Sequence, residues 1–104
     1  MGDHGWKAFE RRVAALIGGS RFWANSGEKV DCESDALVVQ CKNVKTLSLQ
    51  ALSILALQAQ ADGAARGKVG IVAVKRRSGR GVDSPVLIVV TAEQIWKELE
   101  VQTR

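Results

Sequence analysis

The sequence predicts an α/β fold, a central mixed β-sheet flanked by helices. Three observations carry this. Near the start, Trp6, Phe9, Val13 and Leu16 recur at spacings of three, four and three, the stripe of an amphipathic helix. A stretch of Leu, Ala, Gln and Ser at residues 47–65 has few helix breakers. Two short continuous apolar runs, residues 69–74 and 85–90, have the character of buried strands. With 104 residues the chain has room for one core, so residues 1–104 are expected to form a single domain.

The elements follow in order. Gly18-Gly19 ends the first helix, since glycine is favoured just past a helix C-terminus; Glu10 and Arg11 border its apolar stripe. Residues 21–24 have strand composition, and Asn25-Ser26-Gly27 is a turn signal. A short strand at residues 29–32 and a stronger one at residues 36–42 come next, reversed through Glu33-Ser34-Asp35. The second helix is expected to bury Leu49, Leu52, Leu55 and Ala59, with Ile54 beside them. Strand 69–74 leads into a basic loop, KRRSGR, and then strand 85–90. Thr91 and Gln94 match a capping box that opens a last helix, with Trp96 in the core or at an interface.

Composition narrows the function classes. The net charge of +4 supports a polyanionic partner without proving one. Two cysteines, Cys32 and Cys41, and one histidine, His4, are too few for a disulfide framework or a four-ligand zinc site. Both cysteines read as buried, reduced thiols on strands. No apolar run is long enough to span a bilayer, no signal-like segment opens the chain, and the myristoylation pattern is incomplete. The expectation is a cytoplasmic protein without membrane contact (host cytoplasm if phage-encoded).

The stretch VDCESDALVVQCK carries the candidate chemistry. With Ser34-Asp35 as a two-residue turn, Glu33 pairs with Ala36, Cys32 with Leu37 and Asp31 with Val38. Side chains alternate with period two, so Val38, Gln40 and Lys42 then share the face of Asp31, while Leu37, Val39 and Cys41 point into the core. One residue more or fewer in the loop reverses this. A carboxylate, an amide oxygen and an ammonium on one face suit a hard cation and a phosphate; the alternative is the solvated face of a half-exposed strand.

The pattern Asp31…Gln40-Cys41-Lys42 resembles the Asp…(Asp/Glu)-x-Lys signature of the restriction-endonuclease-like, or PD-(D/E)xK, nuclease superfamily. The wider frame resembles the small Holliday junction resolvases of archaea and phages. It includes a first helix with a glutamate (GWKAFERRVAALIGG, where Glu10 is the match), an Arg-x-x-x-x-Ser-Gly element (RFWANSG), and a Gln- and Ala-rich helix running into a strand that ends in Lys (LALQAQADGAARGKVGIVAVKRR). The resemblance covers roughly residues 5–90.

It implies a restriction-endonuclease-like core and a Mg²⁺-dependent endodeoxyribonuclease that hydrolyses phosphodiesters in four-way DNA junctions, with Mn²⁺ as a substitute. Glu10, Asp31, Gln40 and Lys42 would be the catalytic set. Asp31, Gln40, the Cys41 backbone carbonyl and Glu10 would bind metal, directly or through water, and Lys42 would act on the nucleophilic water. Arg11, Arg12, Arg21, Ser26, Lys75, Arg76, Arg77 and Arg80 are the DNA-contact candidates. Two symmetric cuts in a two-fold junction imply a homodimer. The family has Glu, or sometimes Asp, where this chain has Gln40, which keeps the carbonyl oxygen but loses the charge. Either this is a natural variant, or a carboxylate has been replaced and cleavage is attenuated or lost. A general DNA nuclease of the same superfamily, and a relative that binds DNA without cutting it, are the alternatives.

Overall fold

Two glycines set the ends of the two long helices. The computed structural model describes residues 2–21, 31–77 and 84–96, without the side chains of residues 2–7, 20 and 21. Helix α1 spans Gly2–Ile17. Gly18 then takes φ +68°, its N–H donating to the Ala15 carbonyl while the Gly19 N–H donates to Ala14. Helix α2 spans Leu49–Arg66; the Ser48 hydroxyl accepts the Ala51 N–H at its start, and Gly67, again at φ +68°, closes it. Only glycine adopts this left-handed conformation without strain.

Strands β1 (Ser20–Arg21), β2 (Cys32–Glu33), β3 (Leu37–Val44), β4 (Val69–Arg76) and β5 (Val86–Val89) form one sheet in the order β1-β2-β3-β4-β5. The β3–β4 pair is parallel, with α2 as its crossover; the other three pairs are antiparallel. This is the expected order of elements in an α/β fold with a mixed sheet. Strand β4 runs two residues further than expected, so Lys75 and Arg76 belong to the strand and not to the basic loop.

The helices cover opposite faces. Phe9, Val13 and Ala14 of α1 pack on Cys32, Val39, Cys41, Ile71 and Ala73. Ala59 of α2 packs on Val72 and Val74, with Leu52, Leu55 and Val89 around them. Each large apolar side chain fully buried here stabilises the fold by about 1.5–3 kcal/mol. Both cysteines are buried and reduced, as expected.

The helix stripes agree with expectation at Phe9, Val13, Leu52, Leu55 and Ala59 and depart from it elsewhere. In α2 the buried residues are Ala56, Ala59 and Gly63, and Leu49 is 80% exposed. The helix backbone lies so close to β4 that a Cβ on Gly70 would stand 1.6 Å from the Ala59 carbonyl oxygen. Close approach selects the small residues and turns Leu49 and Ile54 outward. In α1 the stripe is Phe9, Glu10, Val13, Ala14 and Ile17; Leu16 is 67% exposed. Glu10, expected at the border, is 2% exposed.

The end of the described chain also departs from expectation. A helix opens after Thr91 as expected, but the Gln94 amide serves mainly β4 and not the Thr91 N–H. That amide accepts the Gly70 N–H and donates to the Gly70 carbonyl, both at 2.9 Å, and its nitrogen also donates to the Thr91 hydroxyl. Gly70 precedes Val72, the first β4 residue paired with β5, so the amide takes the place of a neighbouring strand. Trp96 is 63% exposed, not core. Among the described residues no helix is long and apolar enough to cross a membrane.

Candidate active site

The β2–β3 hairpin differs from the expected one in register but not in facing. Cys32 pairs with Val39 and Glu33 with Val38, so the reversal centres on Asp35-Ala36 and not on Ser34-Asp35. The reason is local: the Ser34 N–H donates to the Leu37 carbonyl, and the Ser34 hydroxyl accepts the Leu37 N–H. Because the shift is two residues, parity survives. Val39 and Cys41 point into the core, against α1, and Gln40 and Lys42 share the other face, as expected; that face meets α2.

Asp31 precedes β2 in a bend. Its N–H donates to the Val39 carbonyl at 2.9 Å, although Val39 is the register partner of Cys32. The ladder thus steps by one residue, as at a bulge. The Cys41 N–H then donates to Asp31 Oδ2 at 2.7 Å, and the carboxylate replaces a missing strand neighbour. In an extended strand the N–H and carbonyl of one residue face the same neighbour, so the Cys41 carbonyl is turned to the edge that Asp31 occupies.

Asp31, Gln40 and Lys42 line one cavity of about 550 Å³, closed from the other side by Gln58, Ala61 and Asp62 of α2. The Gln40 amide nitrogen donates to Asp62 Oδ2 at 2.9 Å. Neither Asp62 nor Gln58 was among the candidates read from the sequence. A signal existed: Asp62 is the only acid in α2, and Gln58 stands one turn before it on the same side.

Glu10 does not line this cavity. It sits on the α1 side of the sheet, and its backbone carbonyl accepts the Cys32 thiol at 3.4 Å. Cys41 links the two sides. Its thiol is pushed far above the ordinary value, first by its hydrogen bond with Cys32, then by burial and by the charges around it, those of Asp31 and Glu10 included. It therefore stays protonated, and only its backbone is a candidate ligand.

The hairpin is anchored at its other end. Glu33 pairs with Lys68 and, at 2.8 Å, with Arg66, while Lys68 also donates to the Ser34 carbonyl. The hydrogen bond from Lys68 is the main reason the Glu33 carboxyl is held below its ordinary value, and Arg66 adds to it. These contacts tie the strand that follows Asp31 to the end of α2.

Basic residues gather where the parallel strands end. Lys42 pairs in register with Val74, and Val44 with Arg76; the Arg77 N–H continues the ladder to Val44. Arg76 and Arg77 are exposed and Lys75 is half-buried. By the period of two, Arg76 shares the α2 face with Lys42, whereas Lys75 is on the other face. Arg11 and Arg12 are exposed on α1. Arg21 lies in β1, its side chain outside the description, and Ser26 and Arg80 fall outside the described residues.

Among the described residues, no three His, Cys, Asp or Glu side chains converge as a metal-binding group. The cavity offers two carboxylates, two amides and an ammonium. That donor set fits a hard divalent cation, which commonly takes one or two carboxylates and completes its shell with water and substrate phosphate. Comparison with protein-family models, with curated proteins and with solved structures finds no match for this chain.

Proposed function

We propose that the chain is a Mg²⁺-dependent endodeoxyribonuclease of the restriction-endonuclease-like superfamily that cuts four-way DNA junctions. The observation that carries this reading is that Asp31, Gln40 and Lys42, separated in sequence by nine and by two residues, line a single cavity. Asp31 and the Gln40 amide oxygen would hold the ion, with the Cys41 carbonyl at the same edge. Bound there, the metal supplies Lewis acidity toward a phosphodiester oxygen and an acidified water. The ammonium of Lys42 orients the attacking water or offsets charge growing on phosphorus. Glu10, to which the resemblance gives metal-bound water, lies on the α1 side of the sheet and takes no part in this cavity.

Arg76 and Arg77, at the end of the sheet near Lys42, would hold the phosphate backbone, which positions DNA without reading sequence. A homodimer belongs to the proposal, since two symmetric cuts need two sites. Gln40 favours a second reading, a chain that binds junctions and cuts them slowly or not at all. Both are tested by incubating a labelled four-way junction with Mg²⁺ or Mn²⁺ and either this chain or its Gln40→Glu variant. Cleavage that is faster in the variant supports the nuclease; binding without cleavage in both supports the non-catalytic reading.

A further inference from the structure

We propose that Asp62 is a positioning residue of this cavity, and that it supplies the carboxylate charge that Gln40 lacks. The inference rests on the metal-nuclease reading above and adds a residue that the resemblance does not assign. Gln40 presents an oxygen and a nitrogen of nearly the same shape, and only the oxygen can face a cation. A carboxylate accepts hydrogen bonds and donates none, so Asp62 selects the nitrogen of Gln40 as its partner. The amide oxygen is thereby turned away from Asp62. Without this contact either end of the amide could face the cavity.

Charge gives the second half of the argument. With Gln at position 40, the hairpin and the bend before it contribute one anionic side chain to the cavity, that of Asp31. Asp62 brings the number of carboxylates lining it to two, the second coming from α2 across the cavity. Its Oδ2 is engaged with Gln40, and a carboxylate has further lone pairs with which to meet a cation or its water. The Asp62 backbone is held in place by α2, whose close packing on β4 through Ala59 and Gly63 leaves the helix little freedom to shift.

The bland alternative is that the Gln40–Asp62 hydrogen bond only fastens α2 to β3. Asp62→Asn separates the two, because its side-chain oxygen still accepts from Gln40 while the charge is gone. Calorimetric titration with Mn²⁺ alone, in the absence of DNA, reads the difference. Asp62→Asn is expected to weaken Mn²⁺ binding about 10- to 100-fold with its thermal unfolding midpoint unchanged. The double variant Gln40→Glu/Asp62→Asn returns the charge to the strand and is expected to recover the lost affinity.

Asp62→Asn that binds Mn²⁺ as tightly as the parent overturns the inference and leaves the nuclease reading standing. So does a loss of affinity that the double variant fails to recover, or one that comes with a lowered unfolding midpoint. No Mn²⁺ binding by either the parent or Gln40→Glu overturns the metal-nuclease reading itself, and this inference with it.

Discussion

The Asp31 carboxylate accepts the Cys41 backbone N–H at 2.7 Å, joining the bend before β2 to the strand that carries Gln40 and Lys42. One oxygen thus closes a gap in the sheet while the side chain lines the cavity. Structure and proposed chemistry share this residue, and substitutions separate them. Asp31→Asn retains an oxygen acceptor and is expected to change stability by less than about 1 kcal/mol, whereas Asp31→Ala loses a charged acceptor and about 1.5–3 kcal/mol. Junction cleavage in Mg²⁺ is expected to vanish in both. Urea unfolding together with the cleavage assay checks the pair, and full activity in Asp31→Asn would remove this residue from the site.

Arg76 and Arg77 give a prediction about salt. The chain is expected to bind a four-way junction more tightly than a linear duplex of equal length, with affinity falling as salt rises. Arg76→Gln and Arg77→Gln should each weaken binding and lower the slope of log K against log salt by about 1 per phosphate contact removed. Titrations at several salt concentrations measure both. Equal affinity for junction and duplex at every salt concentration points to a general nuclease.

Glu33 gives a prediction about pH. Its carboxyl is held below the ordinary value of 4.5, first by Lys68. A lowered folded-state value means that the unfolded chain takes up this proton first as the solution is acidified. The stability Glu33 contributes is therefore complete above about 4.5 and is lost as pH falls through the lowered value. Glu33→Gln is expected to be less stable than the parent at pH 7 and to converge with it in acid. Unfolding midpoints across this range test it; a constant difference would show that the ion pairs contribute nothing. The pairs are partly exposed, so the effect is small and shrinks in salt.

Gly70→Ala tests the packing under α2. The added methyl would meet the Ala59 carbonyl at 1.6 Å, a backbone atom in a helix that cannot yield alone. Overpacking of this kind destabilises by about 1–3 kcal/mol, and this site is expected at the upper end. Gln94→Ala removes the amide that serves Gly70 and is expected to cost about 1 kcal/mol or more. Chemical denaturation measures both, and a neutral Gly70→Ala would mean that the helix rides higher on the sheet.

Much of the fold was legible because its signals are local. Gly18 ends the first helix where the chain needs a left-handed residue, and the runs at 69–74 and 85–90 read as strands on their own. The shared facing of Gln40 and Lys42 follows from the period of a strand and needs no register to be known. Asp31 joined them although its expected partner was wrong, because the hairpin slipped by two residues and not by one.

What the tertiary structure decided are contacts between segments far apart in sequence, which no local period encodes. Asp62 meets Gln40 from 22 residues away, and Gln94 serves Gly70 from 24. Phe9, Val13 and Ala59 are buried as expected, and the outward turn of Leu49 has a related reason. Hydropathy picks the large residue Leu49, but the distance between α2 and the sheet is set by the side that lets the backbones approach most closely. On α2 that side is Ala59 and Gly63, and its choice turns Asp62 into the cavity. Sequence alone determined the elements, their order and the polar face of the hairpin; close packing of α2 on β4 determined which carboxylate that face would meet.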